Sequence, residues 1–432
     1  MQVGTARIDI TPPGAPELSG YAGRIQPSTG VLDPIQGRAI YLYRDENERL
    51  LWLHADVLCF ENEFVDEVKS ALQAAYGLKR DQVILSATHT HSAPTTMPLI
   101  NAGEPEPDFT ALLGERLIEV AAEAMADPGE AATVAGEADA PLAVDRRGKP
   151  SAHVDPRLGV VGWRRENGDW VAVVANYAMH NVLLSYDNRK ISGDVAGAAA
   201  RWLEENLPGA PVALWTNGAA ANLNPPARAT ELEPVREMGQ SLARTAARAL
   251  EAARPLEQEP IRTATDVVSI PLDDLATSRR FAEQYLADLE GRNPKVKAIA
   301  DFDDPTGYIK NRLADGVRRW EALVDQQAAT STLPRSLPME LQVAAIGPLR
   351  MVGFAAEVFS RIRGEIAEGA GRDVMIIGYA NGYNGYLSTP EAIAEGGYEP
   401  DMSFIYGGIP RVAPGGHELA RDRAIEMVRA LD

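Results

Sequence analysis

The chain has 432 residues, 45% of them apolar and 24% charged, the composition of a globular protein with enough length to bury a substantial core. Its 61 Asp and Glu against 42 Lys and Arg leave a formal charge of −19, which repels phosphate backbones and anionic lipid surfaces; no nucleic-acid partner and no stable membrane association are expected. A single cysteine, Cys59, excludes an intrachain disulfide and a cysteine metal cluster, and within LLWLHADVLCF it reads as a small buried hydrophobe.

The opening MQVGTARIDITPPG has neither the basic start nor the apolar stretch of a signal peptide. No segment reaches the roughly 20 apolar residues that span a bilayer, so a cytoplasmic location is expected. RAIYLYRD and RLLWLHADVL flank the turn-like ENE and predict an antiparallel hairpin. NEFVDEVKSALQAAYG predicts a helix, with Phe64, Val68, Leu72 and Ala75 at helical spacing and Gly77 as its stop. Next come the strand QVILSAT, the helix FTALLGERLIEVAAEAMAD, the buried strand WVAVVANYAMH and the helix GDVAGAAARWLEENL. PVALWTNG is a further strand, followed by a helix around residues 231–254.

Residues 276–330 are polar and helical in period, with breaks at GRNP and DDPTG. They predict a solvated helical hairpin, with a helical insertion or lid as the alternative. MELQVAAIGPLRMVGF is a second hairpin, EVFSRIRGEIAEG a helix and DVMIIGYA a buried strand. No internal repeat and no linker is evident. The expectation is one α/β domain over residues 1–432, a mixed β-sheet flanked by helices on both faces.

Reactive side chains gather at the carboxyl ends of these strands. His89 and His91 follow QVILSAT, His180 follows VAVVANYAM, and Asn217, Asn222 and Asn224 follow VALWT. Glu357 follows LRMVGFAA, and Asn381, Tyr383 and Tyr386 follow VMIIGYA. Ligands of open α/β sheets bind outside those ends, so parallel strands would bring all these residues together. Imidazole nitrogen and carboxylate oxygen suit Zn²⁺. His89 and His91 face one side of an extended chain; one would ligate while the other supports the ligands from behind or meets the substrate, although a hydrogen-bonded structural pair is the plainer reading of HTH alone. His54 reads as an interior histidine, His153 as a loop residue, and His417 in HELAR has only the first half of an HExxH motif. There is no phosphate-binding loop and no Gly-x-Ser-x-Gly elbow. The routes left for attack on a carbonyl are metal-activated water or an unmarked serine such as Ser92.

SATHTHSAP resembles the signature of the neutral, non-lysosomal ceramidases, zinc amidases that cleave the N-acyl bond of ceramide. AMHNVLLSYDNRKISGD is similar to that family's second histidine segment, and GFAAEVFSRI to its glutamate segment. GYANGYNGYLSTPEAIAEGGYEP resembles its Asn-x-Tyr-x-x-Tyr-x-x-Thr segment with the tyrosine that follows, and VGTARIDITPP fits its opening. The resemblance implies Zn²⁺ as cofactor, held by His89, His180, Glu357 and Tyr386. It places His91 and Tyr398 against the substrate and Arg146, or its neighbour Arg147, in the same pocket. Two departures stand out: Asn222 and Ala220 replace the serine and aspartate of the family's Asn-x-Gly-Asp-Val-Ser-Pro-Asn segment, and Ala355-Ala356 replaces the Pro-Gly before the glutamate. The chain stops soon after FIYGG, so the C-terminal sandwich domain of secreted ceramidases is expected to be absent.

The resemblance therefore implies a zinc-dependent hydrolase that cleaves an amide bond of a small-molecule or lipid-like N-acyl substrate with activated water. His91 and Tyr398 would stabilise the oxyanion, His91 would return a proton to the amine, and Asn222 would orient a water or the acyl oxygen. Two other readings stay open: a zinc esterase, lactonase or peptidase acting on a small polar substrate, and a non-catalytic metal-binding scaffold of the same fold.

Overall fold

The computed structural model describes residues 1–24, 26–257, 260–289 and 307–431; the break predicted at GRNP and all but the last residue of DDPTG lie outside them. Three four-stranded arrangements follow one another along the chain. The first comprises β1 (Gln2–Asp9), β2 (Gln36–Tyr43), β3 (Arg49–Ala55) and β4 (Val83–Ala87). The second comprises β5 (Ala132–Asp139), β6 (Arg157–Arg164), β7 (Trp170–Tyr177) and β8 (Val212–Asn217). The third comprises β9 (Ile261–Pro271), β10 (Ser336–Ile346), β11 (Leu349–Phe354) and β12 (Met375–Ile377). In each, the first three strands pair antiparallel in sequence order and the fourth pairs parallel with the third.

A parallel pair needs a crossover. Here it is a helix each time: α1 (Asn62–Tyr76), α3 (Asp194–Asn206) and, in the third unit, α7 (Ile362–Ala370). A second helix closes each unit, α2 (Pro107–Ala126), α4 (Leu232–Ala252) and α8 (Gly416–Ala430). The sequence expectation of no internal repeat therefore needs correction at the level of architecture. The unit is repeated in topology, and it was invisible because each copy fills the same pattern with different apolar residues.

The expected α/β class with mixed sheets holds, with these twelve strands divided among three sheets. Successive side chains of a strand point to opposite faces. Leu51, Leu53 and Ala55 of β3 pack with α1 and α2; Leu50 and Trp52 point the other way, into a core shared with Val161, Trp163 and Leu214 of the second sheet and Ile346 and Met351 of the third. Each sheet thus turns one face to its own helices and the other to its two neighbours. Both faces are dry, which is why these strands read as continuous apolar runs.

Helices α5 (Leu275–Leu289) and α6 (Tyr308–Ala329) are inserted between β9 and β10. They are not solvated all round. Leu313, Val317, Trp320 and Val324 are buried against Phe404 and Ile405, and the Trp320 indole donates to the Ile409 carbonyl at 2.7 Å. No helix among the described residues is long and apolar enough to cross a membrane.

Candidate metal centre and its cavity

Each of the three units delivers reactive side chains just past a strand end, the second and third from equivalent places after their third strands and the first after its fourth. His180 follows the last residue of β7 by three positions, and Glu357 follows the last residue of β11 by three. His89 and His91 come from the segment just past β4. His89 has a φ of +57°, a left-handed conformation uncommon outside glycine and asparagine and typical of functional turns. His91 is packed against Gly20, where φ is +93° and an added Cβ would lie 2.4 Å from His91 Nδ1. Only glycine fits there.

The tautomers follow from the partners. His89 Nδ1 lies 2.8 Å from the Leu58 carbonyl, and His180 Nδ1 lies 2.7 Å from the Ala220 carbonyl. Carbonyl oxygen only accepts, so both Nδ1 atoms carry a proton, and in its neutral form each ring offers a lone pair at Nε2. Those lone pairs face one carboxylate oxygen: Glu357 Oε2 is 3.0 Å from His180 Nε2 and 3.7 Å from His89 Nε2. His91 Nε2 is 3.3 Å from His89 Nε2, and ligating atoms of the three histidines all lie within 4.8 Å of one another. Such a cluster is held together either by a proton shared between neighbouring atoms or by a cation among them. Two or three imidazole nitrogens with a carboxylate oxygen are a donor set that fits Zn²⁺. Metal-binding histidines commonly give their second nitrogen to a backbone carbonyl, as both do here.

The electrostatics agree. Burial lowers His89 to about 3, against the opposing pull of Glu357, and burial with the neighbouring histidines holds His91 well below the usual range. Burial disfavours ionisation of Glu357, but His89, His180 and Arg146 outweigh it and hold the carboxyl low. Its two oxygens also accept phenolic hydrogen bonds, Oε1 from Tyr383 at 2.7 Å and Oε2 from Tyr379 at 3.2 Å.

Glu357 and Tyr386 sit side by side as a parallel bridge. The Tyr386 hydroxyl accepts from Arg146 Nη2 at 3.1 Å, whereas it is Tyr383 whose hydroxyl rests on Glu357. Of the two candidate arginines, Arg146 reaches the cluster, with its guanidinium over the rings of Tyr386 and Tyr398 at 5.7 and 5.8 Å. Arg147 turns to the carbonyls of Ala392 and Gly396. Glu399 holds both, at 2.9 Å from Arg146 Nε and 2.5 Å from Arg147 Nη1. Tyr398 is 40% exposed and meets Tyr386 edge-on at 5.8 Å.

His89, His91, Glu357, Arg146, Tyr386 and Tyr398 line a cavity of about 930 Å³; His180 is buried behind them. Met97, Leu99, Phe404 and Ile409 supply apolar wall, and Tyr285, Ile309 and Leu313 carry the α5–α6 pair into it.

Asn222 is not among the residues lining this cavity. Its Nδ2 donates to Asp145 Oδ2 at 2.7 Å and to the His153 carbonyl at 3.0 Å, while its Oδ1 accepts from the Ser360 amide at 2.9 Å. Both ends of the amide are spent, which leaves it nothing with which to orient a water over the cluster. Ser92 is buried with its Oγ held by Asn188 at 3.0 Å, and it too is off the cavity wall. His54, His153 and His417 are bonded to Ser86, Ser360 and Glu365, and of these three His417 also lines the cavity. Sequence reasoning missed Tyr379 and the bond from Tyr383 to Glu357. The GYANGY stretch held both tyrosines, but nothing in their spacing says which hydroxyl meets the carboxylate.

Comparison with known proteins points one way. Residues 1–100 match the family described as neutral/alkaline non-lysosomal ceramidase, N-terminal. The chain is 25% identical to the neutral ceramidase of Mycobacterium tuberculosis over 92% of its own length and 73% of that protein. It is 26% identical to the neutral ceramidase of Pseudomonas aeruginosa over 94% of its length and 69% of that protein. The crystal structure of the Pseudomonas aeruginosa enzyme superposes on the whole chain with a TM-score of 0.75 at 21% identity, covering 74% of that chain. A ceramidase complexed with C2 superposes with a TM-score of 0.76 at 19% identity, so the fold is shared.

Proposed function

Because this chain is a divergent member of the neutral/alkaline non-lysosomal ceramidase family, we propose that it is a zinc-dependent hydrolase that cleaves the amide bond of a lipid-like N-acyl substrate with water. The observation that carries the reading is the convergence of His89 Nε2, His180 Nε2 and Glu357 Oε2 at the wall of a large cavity. These three, with Tyr386 beside Glu357, are the residues that would hold the metal. Bound there, zinc supplies a Lewis acid that acidifies water and polarises a carbonyl.

The chain's own groups supply the rest. His91 lies beside His89 on the cavity wall with a neutral ring, so it can accept a proton from water and pass one to the leaving amine. Tyr398, on the cavity wall beside Tyr386, can donate its phenolic hydrogen to a developing oxyanion. Arg146 sits against Tyr386 and Tyr398 and adds positive charge on the same side. The apolar wall suits an acyl chain, in keeping with relatives named as ceramidases. With Asn222 committed elsewhere and Ser92 off the cavity, neither competes with water as the nucleophile.

The test is metal content by elemental analysis on protein purified without chelator or metal-affinity resin, followed by hydrolysis of N-acyl amide, ester and lactone panels. About one zinc per chain, lost in Glu357→Ala and His180→Ala, with amide cleavage at least 100-fold above those variants, is expected. Wild-type protein that takes up no zinc, or cleaves nothing above the variants, would sink the proposal.

A further inference from the structure

Tyr379 has no part in the reading above, yet one side chain touches three members of the cluster. Its ring lies flat on His89, with centroids 3.8 Å apart and planes inclined by 14°. It meets the His180 ring edge-on, at 6.2 Å and 79°. Its hydroxyl donates to Glu357 Oε2 at 3.2 Å, the same oxygen that faces both Nε2 atoms. Tyr383 holds the other oxygen, so the two phenols together fix the rotation of the carboxylate, and Tyr379 marks the edge turned toward the histidines.

The backbone shows that this placement is enforced. Tyr379 is 1% exposed and has a φ of +55°, a left-handed conformation that a bulky aromatic residue keeps only where its surroundings over-determine it. Its amide donates to the Ala356 carbonyl at 3.3 Å, and its carbonyl accepts from the Ala87 amide at 3.3 Å. One neighbour precedes Glu357 in the chain; the other ends the strand that leads to His89. The residue is therefore clamped between the two segments that deliver those side chains. A core tyrosine needs none of this: packing alone would be satisfied by a right-handed backbone and an apolar side chain.

We infer that Tyr379 is a positioning residue of the metal centre, its ring setting the plane of His89 and its hydroxyl setting the rotamer of Glu357. The inference rests on the metal reading given above. Groups that orient metal ligands typically change metal affinity 10- to 100-fold when removed, and here ring and hydroxyl can be removed separately. Tyr379→Phe keeps the stack and loses the hydrogen bond; Tyr379→Leu loses both.

The experiment is a Zn²⁺ competition titration against a chromogenic chelator for wild type, both variants and a Tyr177→Phe control, with visible spectra of the Co²⁺-loaded forms. Tyr177 is a buried tyrosine whose hydroxyl bonds the Ala140 carbonyl. Expected are about 10-fold weaker Zn²⁺ binding in Tyr379→Phe, about 100-fold in Tyr379→Leu, a displaced Co²⁺ absorption band in each, and no change in the control. Wild-type affinity and an unchanged Co²⁺ band in Tyr379→Phe would overturn the inference, whatever the fold of the leucine variant. A wild type that binds neither metal overturns the metal reading and this inference with it. The two failures are thereby told apart.

Discussion

Asn222 occupies the place where the family resemblance has a serine, and its neighbours explain what it does instead. It joins the loop carrying Arg146 to the segment that follows Glu357, through Asp145, the His153 carbonyl and the Ser360 amide. Its own carbonyl also accepts from the Arg146 amide at 2.9 Å. Asn222→Ala strands the Ser360 amide, worth about 1–3 kcal/mol when left unpaired, and removes the bonds to the His153 carbonyl and to Asp145 Oδ2, which keeps the His153 amide. A loss of about 2–4 kcal/mol in urea denaturation with an unchanged slope is expected; Asn222→Ser, too short to reach both sides, should recover little of it. His54 gives the pH dependence at this scale. Burial lowers it to about 4, opposed by Asp56, so between pH 4 and its unfolded value near 6.5 the unfolded chain binds the extra proton. Stability therefore falls as pH drops through that window, by about 1.4 kcal/mol per pH unit for this group. Asp194, raised to about 6 by burial, works the other way below pH 6, so the comparison must be wild type against His54→Gln. Equal slopes in the two proteins would refute the assignment. His89, His91, His180 and Glu357 were legible in sequence because each follows an apolar run. Tyr379 and the direction of the Asn222 amide were not, because a ring stack and a rotamer depend on contacts with distant parts of the chain.

Helix α3 shows how elements of different units are tied. Glu204 on α3 accepts from Arg38 Nε of β2 at 2.9 Å, and Arg38 Nη1 also reaches Asp56 Oδ2 at 3.1 Å. Arg38 and Asp56 are fully buried, and Glu204 nearly so. Glu204 takes a further bond from Arg7 of β1 at 2.8 Å. The helix of the second unit is thus anchored in the sheet of the first. Removing one partner leaves buried charge uncompensated, which costs about 3–5 kcal/mol. Arg38→Met should lower stability by that amount, and adding Asp56→Leu and Glu204→Leu should restore most of it; a triple variant no more stable than the single would contradict a purely electrostatic origin. The individual strands and helices were readable as apolar runs and helical spacings. The polar face of α5 and α6 misled because their buried stripe of Leu313, Val317, Trp320 and Val324 is narrow, and a narrow stripe in a charged segment reads as solvated surface. No periodicity reveals which sheet a strand joins, so the threefold recurrence of the unit appeared only in space.

At the scale of the molecule, the shared core and the proposed metal centre make one prediction together. Trp52 of the first sheet, Trp163 of the second and Met351 of the third pack in a single cluster, and the candidate ligands come one set from each unit. None of the units can keep its inner face dry alone, so the protein should unfold in one cooperative step despite its repeated topology. A metal that binds only the assembled site adds RT ln(1 + [L]/Kd), about 2.7 kcal/mol at a hundredfold excess over Kd. A chain of 432 residues has an unfolding entropy near 0.9 kcal/mol per kelvin, so the shift in Tm should be about 3 °C. Calorimetry with and without Zn²⁺ checks both parts. One symmetric transition that moves upward as a whole is the expected result. Separate transitions, with only one of them moved by zinc, would mean that the units fold independently and that the site is built within one of them, contrary to the positions of His89, His180 and Glu357.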